Sequence, residues 1–215
     1  MSKQVFQSIY PFTQELLAEY PLMEDHRLNE ALGLAGQAFG LWKKFSFLQR
    51  AAVLRQVALI LRRDLESLAT LITREMGKVI GEARGEVEKC AVTAEYYAEH
   101  SAGFLKEEMV DAGYRQSFVI HQPLGVVLGI MPWNFPFWQV FRYASPTLMA
   151  GNTTLLKHAP NVCGCALALE NIFLEAGAPK GVFTSLIIDT AAVEKILSSD
   201  VVQAVTLTGS ERAGS

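Results

Sequence analysis

Cysteine, charge and long apolar runs are all scarce in this sequence, and each shortage removes a class of function. Three cysteines in 215 residues is an odd count, and Cys163-Gly164-Cys165 is too closely spaced for an ordinary disulfide, so a disulfide-stapled secreted scaffold is excluded and a reducing compartment is expected. No second pair completes a metal set, which leaves Cys90, Cys163 and Cys165 as packing residues. Charged residues make up 19% of the chain and the net charge is -3. The Lys and Arg residues are scattered rather than striped, so nucleic acid and anionic membrane are poor partners. No apolar run approaches the roughly 20 residues of a membrane helix, since residues 118–131 are interrupted by His121, Gln122 and Pro123. Met1-Ser2-Lys3-Gln4 is not followed by the apolar stretch of a signal peptide, and a cytoplasmic protein is the expectation. What the chain has in quantity is core: half of its residues are hydrophobic, enough for a globular α/β or helical protein.

The pattern of those residues changes along the chain. Residues 26–103 contain few helix breakers and read as helical. Over residues 49–71, Ala52, Leu54, Val57, Leu61, Leu65, Leu68 and Leu71 recur at helical spacing, with Arg55, Arg62, Arg63 and Glu66 between them. Gly77 marks a helix end, and residues 82–102 read as a further long helix with Glu86, Lys89 and Glu95 outward. After Gly103 the composition turns to β-branched and aromatic residues. Residues 114–122 and 125–130 predict two strands with Pro123 between them. Strand and helix then alternate: helix 137–149, which Pro146 is expected to kink or shorten, strand 153–157, helix 161–176, strand 183–188, helix 191–198, strand 204–207, and a new helix opening after Thr208-Gly209-Ser210. Strands joined by crossover helices form a parallel sheet, whose ligands bind at the carboxyl ends of the strands.

The unusual residues cluster at those ends. Asn134 lies in Pro132-Trp133-Asn134-Phe135-Pro136, where flanking prolines fix the backbone. A rigidly held amide can donate to a developing oxyanion, although capping the next helix is the commoner use of Asn. Lys157 ends an apolar strand where its ammonium could reach a ribose hydroxyl or a phosphate, or else simply lie at the surface. Thr208-Gly209-Ser210 offers N–H groups and hydroxyls to a phosphate, or else a plain helix cap.

Taken in order, Pro132-Trp133-Asn134-Phe135-Pro136, Gly151-Asn152-Thr153-Thr154-Leu155-Leu156-Lys157 and Thr208-Gly209-Ser210 closely resemble the aldehyde dehydrogenase superfamily, over about the first half of a family member. The resemblance implies oxidation of an aldehyde to an acid by a cysteine nucleophile, with hydride passing to NAD or NADP. It implies a Rossmann-like parallel sheet with an N-terminal helical region and a β-ribbon segment, incomplete at the C-terminus. The expected division is a helical region over 1–103, a ribbon or oligomerisation segment over 104–124, and Rossmann-like β/α units over 125–215. By position, Asn134 is implied as the oxyanion-stabilising amide, Ile130, Met131, Pro132 and Trp133 as the wall of the cofactor cleft, Lys157 and Pro160 as adenosine-ribose neighbours, and Thr208, Gly209 and Ser210 as the pyrophosphate contact. The family's nucleophile and glutamate base have no counterpart here, so the chain alone is expected to be inactive. A dimer or tetramer is the implied assembly.

Departures from the family pattern bear on substrate and cofactor. His158 replaces the proline that commonly follows the lysine. Pro160 stands where many NAD-preferring members carry a glutamate, so neither cofactor is favoured. Tyr143 stands where many members have a lysine beside the site, and residues 186–191 lack the usual glycines. Arg142, eight positions after Asn134, is similar to the arginine that grips the distal carboxylate in bacterial succinate-semialdehyde dehydrogenases, a task suited to a bidentate guanidinium. A surface salt bridge is the alternative use. Rival readings are a dehydrogenase for lactaldehyde- or glycolaldehyde-type substrates and a non-catalytic nucleotide-binding or interaction module.

Overall fold

The computed structural model describes residues 4–214. Residues 1–3 and Ser215, which fall within the expected regions 1–103 and 125–215, lie outside the described residues. The chain opens with a hairpin, β1 (Val5–Ile9) and β2 (Leu16–Pro21), paired antiparallel. Gln14, at φ 61°, closes its turn with an N–H donated to the Tyr10 carbonyl at 2.8 Å. This corrects the expectation of a helical region from residue 1: the hairpin is short and half exposed, and its alternation is weak in sequence.

Four helices follow, α1 (Asp25–Trp42), α2 (Phe47–Arg63), α3 (Leu65–Met76) and α4 (Ile80–Phe104). The start of α2 is set by a capping box in which Ser46 Oγ accepts the Gln49 N–H and the Gln49 side chain accepts that of Ser46. The stretch 49–71, read as helical, is divided at Asp64, which ends α2 and begins α3. Gly77 stops α3 in the left-handed conformation at φ 79°, as a glycine can without strain. Lys89 is exposed on α4 as expected, but Glu86 is buried, a correction with consequences for the site.

The ribbon, β3 (Glu108–Met109) and β4 (Phe118–Val119), is an antiparallel ladder of two residues on each side. The strand expected over 114–122 therefore pairs only in its middle. The remaining elements are β5 (Val126–Met131), α5 (Trp138–Met149), β6 (Thr153–His158), α6 (Cys163–Glu175) after a 3-10 turn at Pro160–Val162, β7 (Phe183–Ser185), α7 (Ala191–Leu197), β8 (Val202–Leu207) and α8 (Glu211–Gly214). Pro146 lies within α5 without ending it; it removes the N–H that would have bonded the Arg142 carbonyl.

Strands β5 to β8 form one parallel sheet in the order β7-β6-β5-β8. Side chains alternate across it. Val126, Leu128 and Leu155 pack with Leu28, Leu32 and Ala35 of α1 and Ile196 of α7, whereas Met131 and Leu156 pack with α2, α4, α5 and α6. The sheet is thus sandwiched between two helical layers. The chain runs outward from β5 through β6 to β7 and then returns to place β8 on the other side of β5, so the order reverses between β5 and β8. A crevice opens at such a reversal, outside the carboxyl ends of the strands.

Candidate functional site

An open cleft of about 340 Å³ occupies that reversal, lined by Pro132, Trp133 and Asn134 after β5, Gln139 of α5, and Thr208, Gly209 and Ser210 after β8. Parallel pairing brings the two loops together: Ile130 is in register with Leu207, and the Thr208 N–H donates to the Ile130 carbonyl at 3.0 Å. Six of the residues singled out in the sequence are therefore gathered in one place. Arg142 reaches the same rim, its guanidinium 3.4 Å from Thr208 Oγ1, and is exposed.

Other expected residues lie elsewhere along the strand ends. Met131 is buried among the helices beneath the sheet and presents no side chain to the cleft. Lys157 is in register with Ile130 but does not line the cleft. Burial lowers the pKa of its ammonium, and Asp189 opposes that shift. Pro160 is exposed in the turn that leads to α6, where its carbonyl accepts the Cys163 thiol at 3.2 Å. Tyr143 is buried beneath β5, its hydroxyl 3.1 Å from Thr154 Oγ1, and so stands away from the cleft. The three cysteines are free and buried. Burial raises all three thiol pKa values, that of Cys163 to about 12, so none carries the thiolate a nucleophile needs.

The turn from Pro132 to Phe137 is held by side chains that the sequence did not single out for it. Glu86 of α4 sends one carboxylate oxygen to the first turn of α5, accepting the Phe137 N–H at 2.9 Å and the Trp138 N–H at 3.0 Å. Its other oxygen pairs with Lys78, buried with it, and the Lys78 ammonium lies 3.6 Å from the centre of the Phe135 ring. From β6, His158 completes the brace. Its Nδ1 accepts the Ala159 N–H at 2.9 Å, which leaves the proton on Nε2, 2.8 Å from the Pro136 carbonyl it donates to. Glu75 of α3 caps α6 with both of its oxygens, Oε1 accepting the Gly164 N–H at 2.9 Å and Oε2 the Cys165 N–H at 2.8 Å. The starts of the two crossover helices after β5 and β6 are therefore filled by the protein's own carboxylates. A phosphate finds no free helix start there, in contrast to the usual mononucleotide fold.

Gln139 is the other residue missed. Its Oε1 is buried with no hydrogen-bond partner among the described residues, and the residue lines the cleft. Its place five residues after Asn134, on the first turn of α5, is the signal that could have found it. Among the described residues no group of His, Cys, Asp or Glu is placed to hold a metal ion, and no helix is long and apolar enough to cross a membrane.

Comparison with known proteins matches residues 1–215 to the model of the aldehyde dehydrogenase family. The chain is 45% identical over 207 residues to the protein named probable succinate-semialdehyde dehydrogenase (NADP+) of Synechocystis sp., covering 96% of this chain and 46% of that one. It is 44% identical to the succinate semialdehyde dehydrogenase (NAD(P)+) Sad of Escherichia coli strain K12, covering 96% and 45%. Among solved structures, the succinic semialdehyde dehydrogenase of Streptococcus pyogenes in complex with NADP+ superposes with a TM-score of 0.94 at 40% identity, covering 97% of this chain and 46% of that one. The chain thus spans a little under half the length of these relatives.

Proposed function

The chain belongs to the aldehyde dehydrogenase family, and on that premise we propose that the protein carrying it oxidises an aldehyde to a carboxylic acid with NAD or NADP, succinate semialdehyde being the substrate. The observation that carries the reading is the cleft between β5 and β8, with the Asn134 amide in its wall and the Arg142 guanidinium at its rim.

The strand-end residues fit a dinucleotide by their chemistry. Pro132 and Trp133 offer an apolar wall at the cleft, with Ile130 packed beside it on the α1 side of the sheet, Thr208 and Ser210 offer hydroxyls, and Gly209 keeps the backbone of that loop uncovered. Lys157 offers a partly desolvated ammonium to ribose oxygens. Pro160 carries no carboxylate, so nothing at that position accepts a 2′-hydroxyl or repels a 2′-phosphate, and both cofactors are admitted. When bound, the dinucleotide supplies the hydride acceptor. Asn134 donates to the aldehyde oxygen as negative charge gathers on it. Held in advance, the amide needs no reorganisation as the charge appears. The nucleophile is a thiol other than Cys90, Cys163 and Cys165, whose burial disqualifies them, and the 215-residue chain alone does not turn over.

The choice of substrate rests on Arg142. An exposed guanidinium 3.4 Å from a hydroxyl is placed to meet a small carboxylate, and its fork suits one. In the whole protein, Arg142→Ala should raise the KM for succinate semialdehyde roughly tenfold or more, the scale of one charge-assisted contact. The KM for an uncharged aldehyde of similar length should barely move. An equal rise for both would remove the carboxylate role and leave the aldehyde chemistry standing.

A further inference from the structure

Two prolines do not by themselves aim a side chain that lies between them. Pro132 and Pro136 fix their own φ angles, and Pro136 pushes Phe135 towards extended backbone, but Asn134 keeps both of its soft dihedrals. What surrounds it is a set of restraints from the α3–α4 loop, α4 and β6, each acting on a residue just after it. The Lys78 ammonium lies on the Phe135 ring, the His158 imidazole holds the Pro136 carbonyl, and Glu86 holds the Phe137 and Trp138 N–H groups. Residues 135 to 138 are each held, and the exposed Asn134 side chain just before them lines the cleft.

We propose that Glu86, paired with Lys78, is a positioning residue for Asn134, fixing the exit of the turn so that the amide keeps one orientation at the cleft. The inference deepens the reading of Asn134 as the oxyanion donor and rests on it. A helix cap alone does not call for this arrangement. A single Ser, Thr or Asp on the turn itself would satisfy the first N–H groups of α5 without burying charge. Here a lysine and a glutamate are both taken out of water, with side chains 6% and 1% exposed, and a buried pair of that kind is costly unless its geometry is well satisfied. Glu75 shows the contrast. It also caps a helix start with two bonds, but spends one oxygen on each N–H, no Lys or Arg partner is paired with it among the described residues, and the backbone before α6 carries no amide side chain in the cleft.

The test is a double-mutant cycle in the whole protein, measuring kcat and KM with an aldehyde for Asn134→Ala, Glu86→Gln and the two combined. Loss of the amide should lower kcat about a hundredfold, the usual worth of one oxyanion donor. Glu86→Gln should lower kcat roughly tenfold through misplacement, with KM nearly unchanged. The combined variant should be no slower than Asn134→Ala alone, because Glu86 acts through that amide. A purely structural cap would give the same fold loss in both backgrounds, and that result overturns the positioning role while leaving Asn134 as donor. If Asn134→Ala leaves kcat unchanged, the donor reading itself fails and takes this proposal with it. Should Glu86→Gln not fold, Lys78→Met/Glu86→Gln keeps an acceptor for the two N–H groups and strands no buried charge. The same cycle run on it has the same deciding outcomes. Glu75→Gln serves as the comparator: its effect should multiply independently with that of Asn134→Ala.

Discussion

His158 follows Lys157 on β6, so the two side chains leave opposite faces of the sheet. Lys157 stays on the side of Asp189, while His158 crosses to the Pro136 carbonyl on the side of α5. Burial there lowers the imidazole pKa from 6.5 to about 4, and the sign of the consequence follows from linkage. Above about pH 6.5 the ring is neutral in both folded and unfolded chains. As pH falls below that value the unfolded chain takes up a proton that the folded one refuses, so stability is lost progressively until the pH nears 4. The loss attributable to this one group is on the order of 3 kcal/mol. Urea unfolding of the native protein and His158→Gln at pH 7 and pH 4 isolates it: the stability gap between the two should shrink by about that amount as the pH is lowered. Glu170, whose carboxyl pKa burial raises, responds in the opposite sense and cancels in the difference. A gap independent of pH would refute the assignment. At this scale the sequence exposes residues whose surroundings are local. Asn134 and Thr208-Gly209-Ser210 are legible because strand ends converge in any parallel sheet. Glu86 is not, since a glutamate eight residues from Lys78 and 51 from Phe137 reads as a solvated charge until α4 is packed against α5.

Elements were legible in proportion to how far their own residues decide them. Strand β5, a run of β-branched and aliphatic residues, and the helices after β5 and β6 appear close to where periodicity puts them. The break at Asp64 and the shortening of the expected strand 183–188 to β7 come from tertiary pairing that no window of sequence contains. Gly129 illustrates a case of the second kind. Within an otherwise bulky strand it would read as a weakness, yet a Cβ placed there would lie 2.2 Å from both Cζ and the hydroxyl of Tyr143. The absence of a side chain on β5 is what lets α5 lay a tyrosine flat beneath it, where it meets Thr154. Gly129→Ala should therefore cost about 3 kcal/mol from overpacking. Because the obstruction is a single ring, Gly129→Ala combined with Tyr143→Ala should cost less than the sum of the two, by roughly 1 kcal/mol or more. Chemical denaturation of the four proteins measures this directly, and strict additivity would place the strain elsewhere.

For the whole molecule, what stands out is where the apolar surface lies. Met109, Val110, Tyr114, Phe118, Val119, Ile120 and Leu124 are all exposed along one segment of 16 residues, charged only at Asp111, Arg115 and His121 when protonated. Within it the β3–β4 ladder joins only two residues of each strand, so Ile120 and its neighbours hold backbone donors and acceptors beside a row of apolar side chains. An edge of that composition recruits another strand, and an apolar patch of that extent marks an interaction surface. Strand β8 offers a second outward row, Val205 and Leu207, but alternating with half-buried residues and without free hairpin geometry. Self-association should therefore run through the ribbon. In sedimentation velocity across a hundredfold range of concentration, the 215-residue chain should shift to larger species as it is concentrated. Phe118→Lys/Ile120→Lys, which puts charge on the ribbon without touching the buried core, should hold it at the monomer, whereas Val205→Lys should leave the shift in place. The reverse pattern would move the interface to the sheet edge and separate assembly from the ribbon, leaving the cleft between β5 and β8 next to the contact rather than remote from it.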